Sequence, residues 1–343
     1  MSIRAYIELF NRYGAHISDV QWPGWNVSVK NPVIDIDAVE KYEKSEQLKD
    51  ILLIKASGTL MKDVCPDMTG AYVAYPSLPT FMQTRKSSDL TQVLEDELNT
   101  EVKWLTRSEL RPSMETAMHA LIPWRYIVHT HHVYANIFLT AEEGRAMLQK
   151  RDIEFGWIPI AVPGMNLAQE IAKAYPSSAP KILFLENHGI VIADDEPDSL
   201  MRTYDSLTEN LVAFLWDNGI PPMPQEYHVT QRDETIYTIE MTPGVAKSFA
   251  DMSYLSKKYI YPDAAVFGQT LDLSKVRLEW SQITITWYSQ KQATNFLENI
   301  AAINYVLYAH EELWWTTRVL PQHIIDYMAE MEAEKFRKSL NQK

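Results

Sequence analysis

Apolar side chains recur at helical spacing in the first part of the chain. Ile3, Tyr6 and Ile7 share one face of a predicted helix over residues 3–13, and Gly14 follows it as a stop signal. The same criteria predict further helices at 88–100, 113–121, 141–152, 165–175 and 194–219. Helices therefore recur through the first two thirds of the sequence.

Strands are predicted where apolar and polar residues alternate, or where short apolar runs end in turn residues. Such segments lie at 26–30, 51–55 and 126–132. Residues 181–193 are expected to form two buried strands around a tight Asn-His-Gly turn at 187–189.

The sequence changes character after the proline-rich stretch 220–225, which is the best candidate for a domain boundary. The division predicted is residues 1–219 as one domain and 226–343 as a mainly helical C-terminal extension. Two long helical patterns near 290–317 and 321–340 support that description.

Composition places the 343-residue chain among globular proteins, since 46% of its residues are hydrophobic and 22% are charged. Its 32 basic residues are outnumbered by 45 acidic residues, which gives a formal net charge of −13. This balance argues against general binding of nucleic acid or of anionic membranes, because such binding depends on a basic surface.

The single cysteine, Cys65, allows no intrachain disulfide, so a reducing compartment is expected. Neither a secretory apolar region at the N-terminus nor a run of about 18 apolar residues is found. The expectation is a cytoplasmic protein without a membrane span.

Histidines are concentrated in one apolar stretch, residues 111–137, which holds four of the nine in the chain. His129 and His131 are two residues apart on a predicted strand, so both side chains should leave the same face. His188 lies in the predicted turn at 187–189. Three histidines that leave one coordination position open match the ligand count of catalytic zinc, although each histidine alone is more often structural.

Glu115 precedes this strand on a predicted short helix with Ser113 as its N-cap, and His119 follows one turn later. A lone glutamate is usually exposed to solvent. Glu115 is of interest because the residues around it are predicted to be buried.

Two strand ends carry side chains suited to an anion. One offers Asn26, and the other offers Lys55, Ser57 and Gly58 in the stretch "IKASGT". Small and hydroxyl-bearing residues with a glycine can present backbone N–H groups to a phosphate, although plain strand-to-turn junctions explain the same residues equally well.

Taken in order, these motifs resemble the zinc-dependent class II aldolase/adducin family over roughly residues 5 to 217. The motifs are "GWNVSVK", "LLIKASGT", "RPSMETAMH", "IVHTHH", "VPGMNLAQEI" and "LFLENHGIVIADD". The likeness is greatest to the aldolase portion of bifunctional rhamnulose-1-phosphate aldolase/alcohol dehydrogenases. "YIYPDAAVFG" and "EAEKFRK" also resemble elements that follow the aldolase core there. The chain contains no G-x-G-x-x-G fingerprint, so the dehydrogenase portion is not expected in it.

This resemblance implies a three-layer α/β fold with a central, mostly antiparallel sheet flanked by helices. It implies a Zn²⁺ cofactor, with other divalent metals acceptable, and a sugar phosphate as substrate. A homo-oligomer is implied as well, with a tetramer favoured. The implied roles are metal ligation by His129, His131 and His188, acid/base catalysis by Glu115, and phosphate binding by Asn26, Lys55, Ser57, Gly58 and Ser113.

The resemblance thus implies an aldolase that reversibly cleaves a ketose 1-phosphate to dihydroxyacetone phosphate and a hydroxyaldehyde through a metal-stabilised enediolate. Two alternatives stay open: a sugar-phosphate 4-epimerase or dehydratase with the same site, and a non-catalytic interaction module like the adducins. Glutamate at position 115 favours the aldolase, because the related epimerases typically have aspartate there.

Overall fold

The computed structural model describes most of the chain outside a few segments. The described residues are 3–14, 16–19, 21, 25–32, 51–57, 70–74, 112–174, 180–223, 229–240, 259–268, 276–279, 282–286 and 290–330. The predicted helix at 88–100, Gly58 and the end of the helical pattern beyond Glu330 lie outside these ranges.

Helices and strands alternate through residues 3–217, as the hydrophobic pattern predicts. The helices are α1 (Ile3–Tyr13), α2 (Thr116–Leu121), α3 (Val133–Leu139), α4 (Gly144–Gln149), α5 (Met165–Ala174) and α6 (Pro197–Asp217). The strands are β1 (Trp25–Lys30), β2 (Ile51–Lys55), β3 (Gly70–Ala74), β4 (Tyr126–Thr130), β5 (Gly156–Ile158), β6 (Ile182–Leu185) and β7 (Gly189–Asp194).

The seven strands form one sheet in the order β3-β2-β1-β4-β7-β6-β5. Every neighbouring pair is antiparallel except β5 and β6, which run parallel. Strand β4 lies at the centre, between β1 and β7. The prediction of a mostly antiparallel central sheet is confirmed.

Apolar side chains leave both faces of this sheet and pack into two separate cores. Val128 points into a core shared with α1, α3 and α6. Ile127, its neighbour in β4, points into a second core shared with α2 and α5. Side chains that alternate along one strand thus pack into both cores, which accounts for the three layers.

Two predicted boundaries differ from the structure near β4. The helix expected from Ser113 begins at Thr116, and the strand expected to include residues 131 and 132 ends at Thr130. The second difference arises because the His132 side chain accepts a hydrogen bond from the Ala135 N–H and so caps α3. His131 therefore lies just after the strand rather than on it.

The C-terminal part contains helices and also a second sheet that the sequence analysis did not predict. Its helices are α7 (Pro262–Gly268), α8 (Gln290–Leu313) and α9 (Gln322–Glu330). Its strands are β8 (Val229–Asp233), β9 (Ile236–Glu240), β10 (Val276–Glu279) and β11 (Gln282–Thr286), antiparallel in the order β10-β11-β9-β8.

The described part of the proline-rich stretch, residues 220–223, is held against both parts of the chain. The Met223 N–H donates to the Tyr134 hydroxyl over 3.1 Å, and the Tyr305 hydroxyl donates to the Pro221 carbonyl over 2.7 Å. Side chains of α8 also share the larger core with those of α3. The boundary at 220–225 remains a prediction, but the two parts pack together through this core.

Within the described ranges, none of the helices is both long and apolar enough to cross a membrane.

Phe138 provides a test of this shared core, because its ring lies 5.3 Å from that of Phe214 and 5.3 Å from that of Trp315. We expect Phe138→Ala to lower the free energy of unfolding by about 3–5 kcal/mol, since it leaves a cavity where the two parts meet. Urea denaturation followed by far-ultraviolet circular dichroism measures this change.

Trp216→Ala is the matched control, because Trp216 is also a large aromatic residue next to this region but is 65% exposed. Its effect should stay within about 0.5 kcal/mol. Equal effects of the two substitutions would contradict the shared core.

Candidate metal centre

Three buried histidines meet where β4 and the β6–β7 turn come together. His129 lies in β4, His131 follows that strand, and His188 precedes β7. Their ring centroids are 5.0–5.2 Å apart, and one ring nitrogen from each lies within 4.8 Å of the others. The structure therefore brings together the three residues that the sequence analysis selected as metal ligands.

The turn that carries His188 has the predicted tight geometry. Asn187 has a φ of 53°, in the left-handed region that asparagine tolerates better than most residues. Gly189 follows in the turn and lies very close to the end of β4. A Cβ atom at this position would lie 2.3 Å from the Thr130 carbonyl oxygen. Only glycine fits this approach without displacing the backbone.

Hydrogen bonds orient two of the three imidazoles. His129 Nδ1 lies 2.9 Å from the Ile190 carbonyl oxygen, which can only accept, so this nitrogen carries the proton. His131 Nδ1 contacts the Asp263 carboxylate. In both rings the Nε2 atom is then the nitrogen suited to a metal.

Glu115 borders the same cluster although it lies on a different segment. Its Oε1 atom is 3.0 Å from His188 Nε2 and 3.4 Å from His129 Nε2. Its Oε2 atom accepts a hydrogen bond from the Asn26 side-chain amide. The pairing of β1 with β4 sets this arrangement, because it places Asn26 opposite His129.

The electrostatics favour neutral rings beside a charged carboxylate. Burial lowers the pKa of His129 to about 3 and lowers the pKa of His188, although Glu115 opposes both shifts. Burial alone would raise the pKa of Glu115, but the neighbouring His129 and His188 outweigh it and hold that pKa well below its usual range. Neutral imidazoles and an ionised carboxylate are the forms in which these groups bind a cation.

Buried nitrogens without hydrogen bonds support a metal at this position. Among the described residues, His188 Nδ1 is buried without a hydrogen-bond partner, and His129 Nε2 and His188 Nε2 make no well-directed hydrogen bond although the Glu115 carboxylate lies 3.4 and 3.0 Å away. Such groups raise the free energy of the folded protein unless another ligand satisfies them. Three imidazoles and a carboxylate together fit Zn²⁺ and related divalent metals.

The predicted phosphate-binding residues are less closely gathered. The Ser113 hydroxyl accepts the Glu115 N–H at 3.2 Å, so it lies next to the centre. Lys55 is buried, donates to the Ala56 carbonyl at 3.3 Å and lies 5.2 Å from the Trp25 ring. Ser57 is partly exposed after β2, and Gly58 lies outside the described residues. Their phosphate role remains a prediction.

The other two histidines of the stretch 111–137 have structural contacts outside the cluster. His119 Nδ1 lies 2.7 Å from the Ser28 hydroxyl. His132 caps α3, and its Nε2 atom lies 2.9 Å from the Thr208 hydroxyl and 3.4 Å from the Asp19 carboxylate. The histidine-rich stretch therefore contains two histidines of the cluster and two with structural contacts.

The sequence analysis missed two residues beside the centre, Asp263 and Tyr261. Both are fully buried, and both come from the C-terminal part. The Tyr261 ring lies 6.3 Å from that of His131, and its hydroxyl has no hydrogen-bond partner among the described residues. Burial and the nearby Asp263 raise the pKa of Tyr261 well above its ordinary value, so the hydroxyl stays protonated. The motif "YIYPDAAVFG" contained both residues, but nothing in it indicated a contact with His131.

Two solved structures are similar to part of this chain. The N-terminal class II aldolase domain of a conserved protein from Thermoplasma acidophilum is 19% identical with a TM-score of 0.52, and the match covers 63% of this chain and 94% of that one. YgbL from Klebsiella pneumoniae, described as a putative aldolase/epimerase/decarboxylase, is 15% identical with a TM-score of 0.41, and the match covers 64% of this chain and 92% of that one.

One curated relative matches part of the sequence. An uncharacterized oxidoreductase named YuxG from Bacillus subtilis (strain 168) is 26% identical over 111 residues, which are 31% of this chain. The match spans only 16% of that relative's length.

Residues 26–212 match the family described as Class II Aldolase and Adducin N-terminal domain, a range that includes the three clustered histidines, Glu115 and Asn26. With more than half of its length matched and the fold in agreement, this chain belongs to the class II aldolase/adducin family.

Proposed function

We propose that this protein is a class II, metal-dependent aldolase that reversibly cleaves a ketose 1-phosphate of the rhamnulose- or fuculose-phosphate type. The products would be dihydroxyacetone phosphate and a hydroxyaldehyde. The observation that carries the proposal is the convergence of His129, His131 and His188 beside Glu115, whose other oxygen is held by Asn26.

His129, His131 and His188 would hold the metal, with zinc proposed and other divalent ions fitting the same ligands. When bound, the ion would supply positive charge that stabilises the anion formed as the carbon–carbon bond breaks. Because the three ligands are neutral, they leave that positive charge largely undiminished. Their burial also keeps water from screening it.

Glu115 is proposed to move the proton that the reaction requires. In the direction of synthesis, its ionised carboxylate removes a proton from the carbon next to the carbonyl of dihydroxyacetone phosphate. In cleavage, the hydroxyl on the neighbouring carbon releases its proton to solvent and becomes the aldehyde oxygen as the carbon–carbon bond breaks, and Glu115 returns a proton to the carbon freed from that bond. Asn26 keeps the carboxylate directed towards the cluster through its hydrogen bond to Oε2.

Asn26, Lys55, Ser57, Gly58 and Ser113 are proposed to bind the substrate phosphate, as the family resemblance implies. The contact of Ser113 with the Glu115 N–H supports this for one member of the set, since it places a hydroxyl beside the proposed base. Asn26 would then serve both the phosphate and Glu115.

The aldolase reaction is favoured over the two alternatives for different reasons. Glutamate at position 115 favours cleavage over epimerisation within the family. A non-catalytic adducin-like role would leave buried imidazole nitrogens of His129 and His188 without a ligand, which costs free energy and contributes nothing to an interaction surface. A cytoplasmic homo-oligomer, with a tetramer favoured, completes the proposal, and light scattering after size-exclusion chromatography would test the assembly.

The first test concerns the metal. Loss of a residue that only hydrogen-bonds to a metal ligand lowers metal affinity by roughly 10–100-fold. His129→Asn removes a proposed ligand itself, so we expect it to lower zinc affinity by more than that. Elemental mass spectrometry of purified protein and competition with a chromophoric chelator measure content and affinity. His132→Asn is the matched control, because the neighbouring His132 faces Asp19 and Thr208 instead. Equal losses in both variants would contradict the assignment.

The second test concerns Glu115. Glu115→Gln keeps the size of the side chain and removes its charge, so we expect zinc to remain bound while the rate of cleavage falls by about 10²–10⁴-fold. An enzyme-coupled assay of dihydroxyacetone phosphate release from rhamnulose 1-phosphate and fuculose 1-phosphate gives the rates. Glu209→Gln, on the exposed face of α6, should leave them unchanged. A wild-type protein that binds zinc but only epimerises its substrate would overturn the lyase assignment.

A further inference from the structure

The histidine cluster is formed by residues of the family domain, but one wall of it comes from elsewhere in the chain. Asp263, in α7, contacts His131 from a position 132 residues further along the sequence. It lies well beyond the family match, which ends at residue 212. Its side chain is completely buried, as is most of α7 in the described residues.

We propose that Asp263 is a positioning residue for the metal centre, and that it makes metal affinity and the docking of residues 259–268 depend on each other. The proposal rests on the proposed function in that it requires His131 to bind a metal. It adds a determinant of the site that the family domain does not contain.

The contact of Asp263 with His131 has the chemistry of a carboxylate that orients a metal-binding histidine. A histidine that binds a metal through Nε2 must hold its proton on Nδ1, and a carboxylate that accepts from Nδ1 fixes both this tautomer and the orientation of the ring. Asp263 contacts His131 at Nδ1. The corresponding atom of His129 lies 2.9 Å from the neutral carbonyl of Ile190. The contact with Asp263 should therefore make His131 the stronger electron donor to a metal of the two rings.

Further hydrogen bonds join the same segment to the turn that carries His188. The Asn187 side-chain amide donates to the Ile260 carbonyl over 2.8 Å and to the Arg318 carbonyl over 3.0 Å. The Asn187 backbone has the strained positive φ described above, so these bonds help to hold the turn. Residues 259–268 thus contact the segments of two proposed ligands at once.

A third contact secures the neighbouring part of the C-terminal region. The Arg318 guanidinium pairs with Glu186, the residue before Asn187, and binds Glu142 through two hydrogen bonds of 2.8 and 3.1 Å. The Leu320 N–H in turn donates to the Tyr259 carbonyl over 2.7 Å. These bonds connect residues 318–320, segment 259–268 and the His188 turn into one network.

Coupling follows from these contacts by linkage. A metal on Nε2 withdraws electrons from the imidazole, which makes the Nδ1 proton a better donor and strengthens its bond to Asp263. If bound metal favours the docked state of the segment by a given factor, docking of the segment raises the affinity for the metal by the same factor. Zinc should therefore protect residues 259–268, although none of them is a proposed zinc ligand.

The affinity experiment titrates the full-length chain with Zn²⁺ in competition with a chromophoric chelator, comparing wild type with Asp263→Asn. We expect about 10–100-fold weaker binding in the variant. Asp19→Asn is the matched control, because Asp19 is a buried carboxylate beside His132, a histidine that is not a proposed ligand. It should change zinc affinity less than about threefold.

Two further measurements separate positioning from a general loss of folding. The visible spectrum of the Co²⁺-loaded protein should shift in Asp263→Asn at saturating metal, since the donor strength of His131 changes, and should stay constant in Asp19→Asn. Hydrogen exchange of the wild-type amides in 259–268 should slow when Zn²⁺ is added, which requires no variant.

The outcomes distinguish this inference from the proposed function. Tight zinc binding by wild type with unchanged affinity and cobalt spectrum in Asp263→Asn would overturn the role of Asp263 alone. Zinc binding without slower exchange in 259–268 would overturn the coupling. A wild-type chain that takes up no divalent metal would overturn both proposals.

Discussion

Burial of polar rings at the centre of a sheet is the constraint on which the rest of this structure depends. Three imidazoles and the Glu115 carboxylate lie almost without access to solvent, where each unsatisfied polar atom costs about 1–3 kcal/mol. The surrounding elements are arranged to reduce that cost. Strand β7 presents the Ile190 carbonyl to His129, strand β1 presents the Asn26 amide to Glu115, and α7 presents Asp263 to His131.

The order of strands follows from the same constraint. Strand β4 must lie between β1 and β7, because β1 supplies Asn26 opposite His129 and β7 begins at the turn that carries His188. The close approach of this turn to the end of β4 requires Gly189. Apolar residues on both faces of the central strands then pack the helices against the sheet, which keeps water away from the cluster.

Much of this arrangement could be predicted from the sequence because the relevant signals are local. The Asn-His-Gly turn, the apolar strands on either side of it and the His-x-His pair each lie within about ten residues. Their order along the chain resembles one known family. The proximity of Glu115 to these histidines was also expected, but the part played by β1 was not. Glu115 precedes α2 instead of sharing a helical face with His119, and β1 brings it into contact with the cluster through Asn26.

What could not be predicted depends on contacts between distant parts of the chain. The position of the Lys55 ammonium group over the Trp25 ring was not predicted, because it depends on the pairing of β2 with β1, and the phosphate role of Lys55 remains a prediction. Strands β8 to β11 are short and interrupted by turns, so their pairing is decided by neighbours and not by periodicity. Asp263 follows a proline at the start of a short helix, where an acidic residue is common for local reasons. No pattern within α7 distinguishes a residue that stabilises the helix from one that reaches a proposed metal ligand.

The charges at the centre explain why this distant residue matters. Two carboxyl groups, Glu115 and Asp263, border three imidazoles, burial lowers the pKa of His129 and of His188, and none of these groups is well solvated. Two negative charges in such a site are strongly unfavourable unless a cation balances them. A divalent metal held by the proposed ligands would place positive charge next to Glu115 and, through the His131 ring, on the side of Asp263. In the proposed site the family domain contributes the three histidines and Glu115, and the C-terminal part contributes Asp263, so metal binding would link the two parts of the chain.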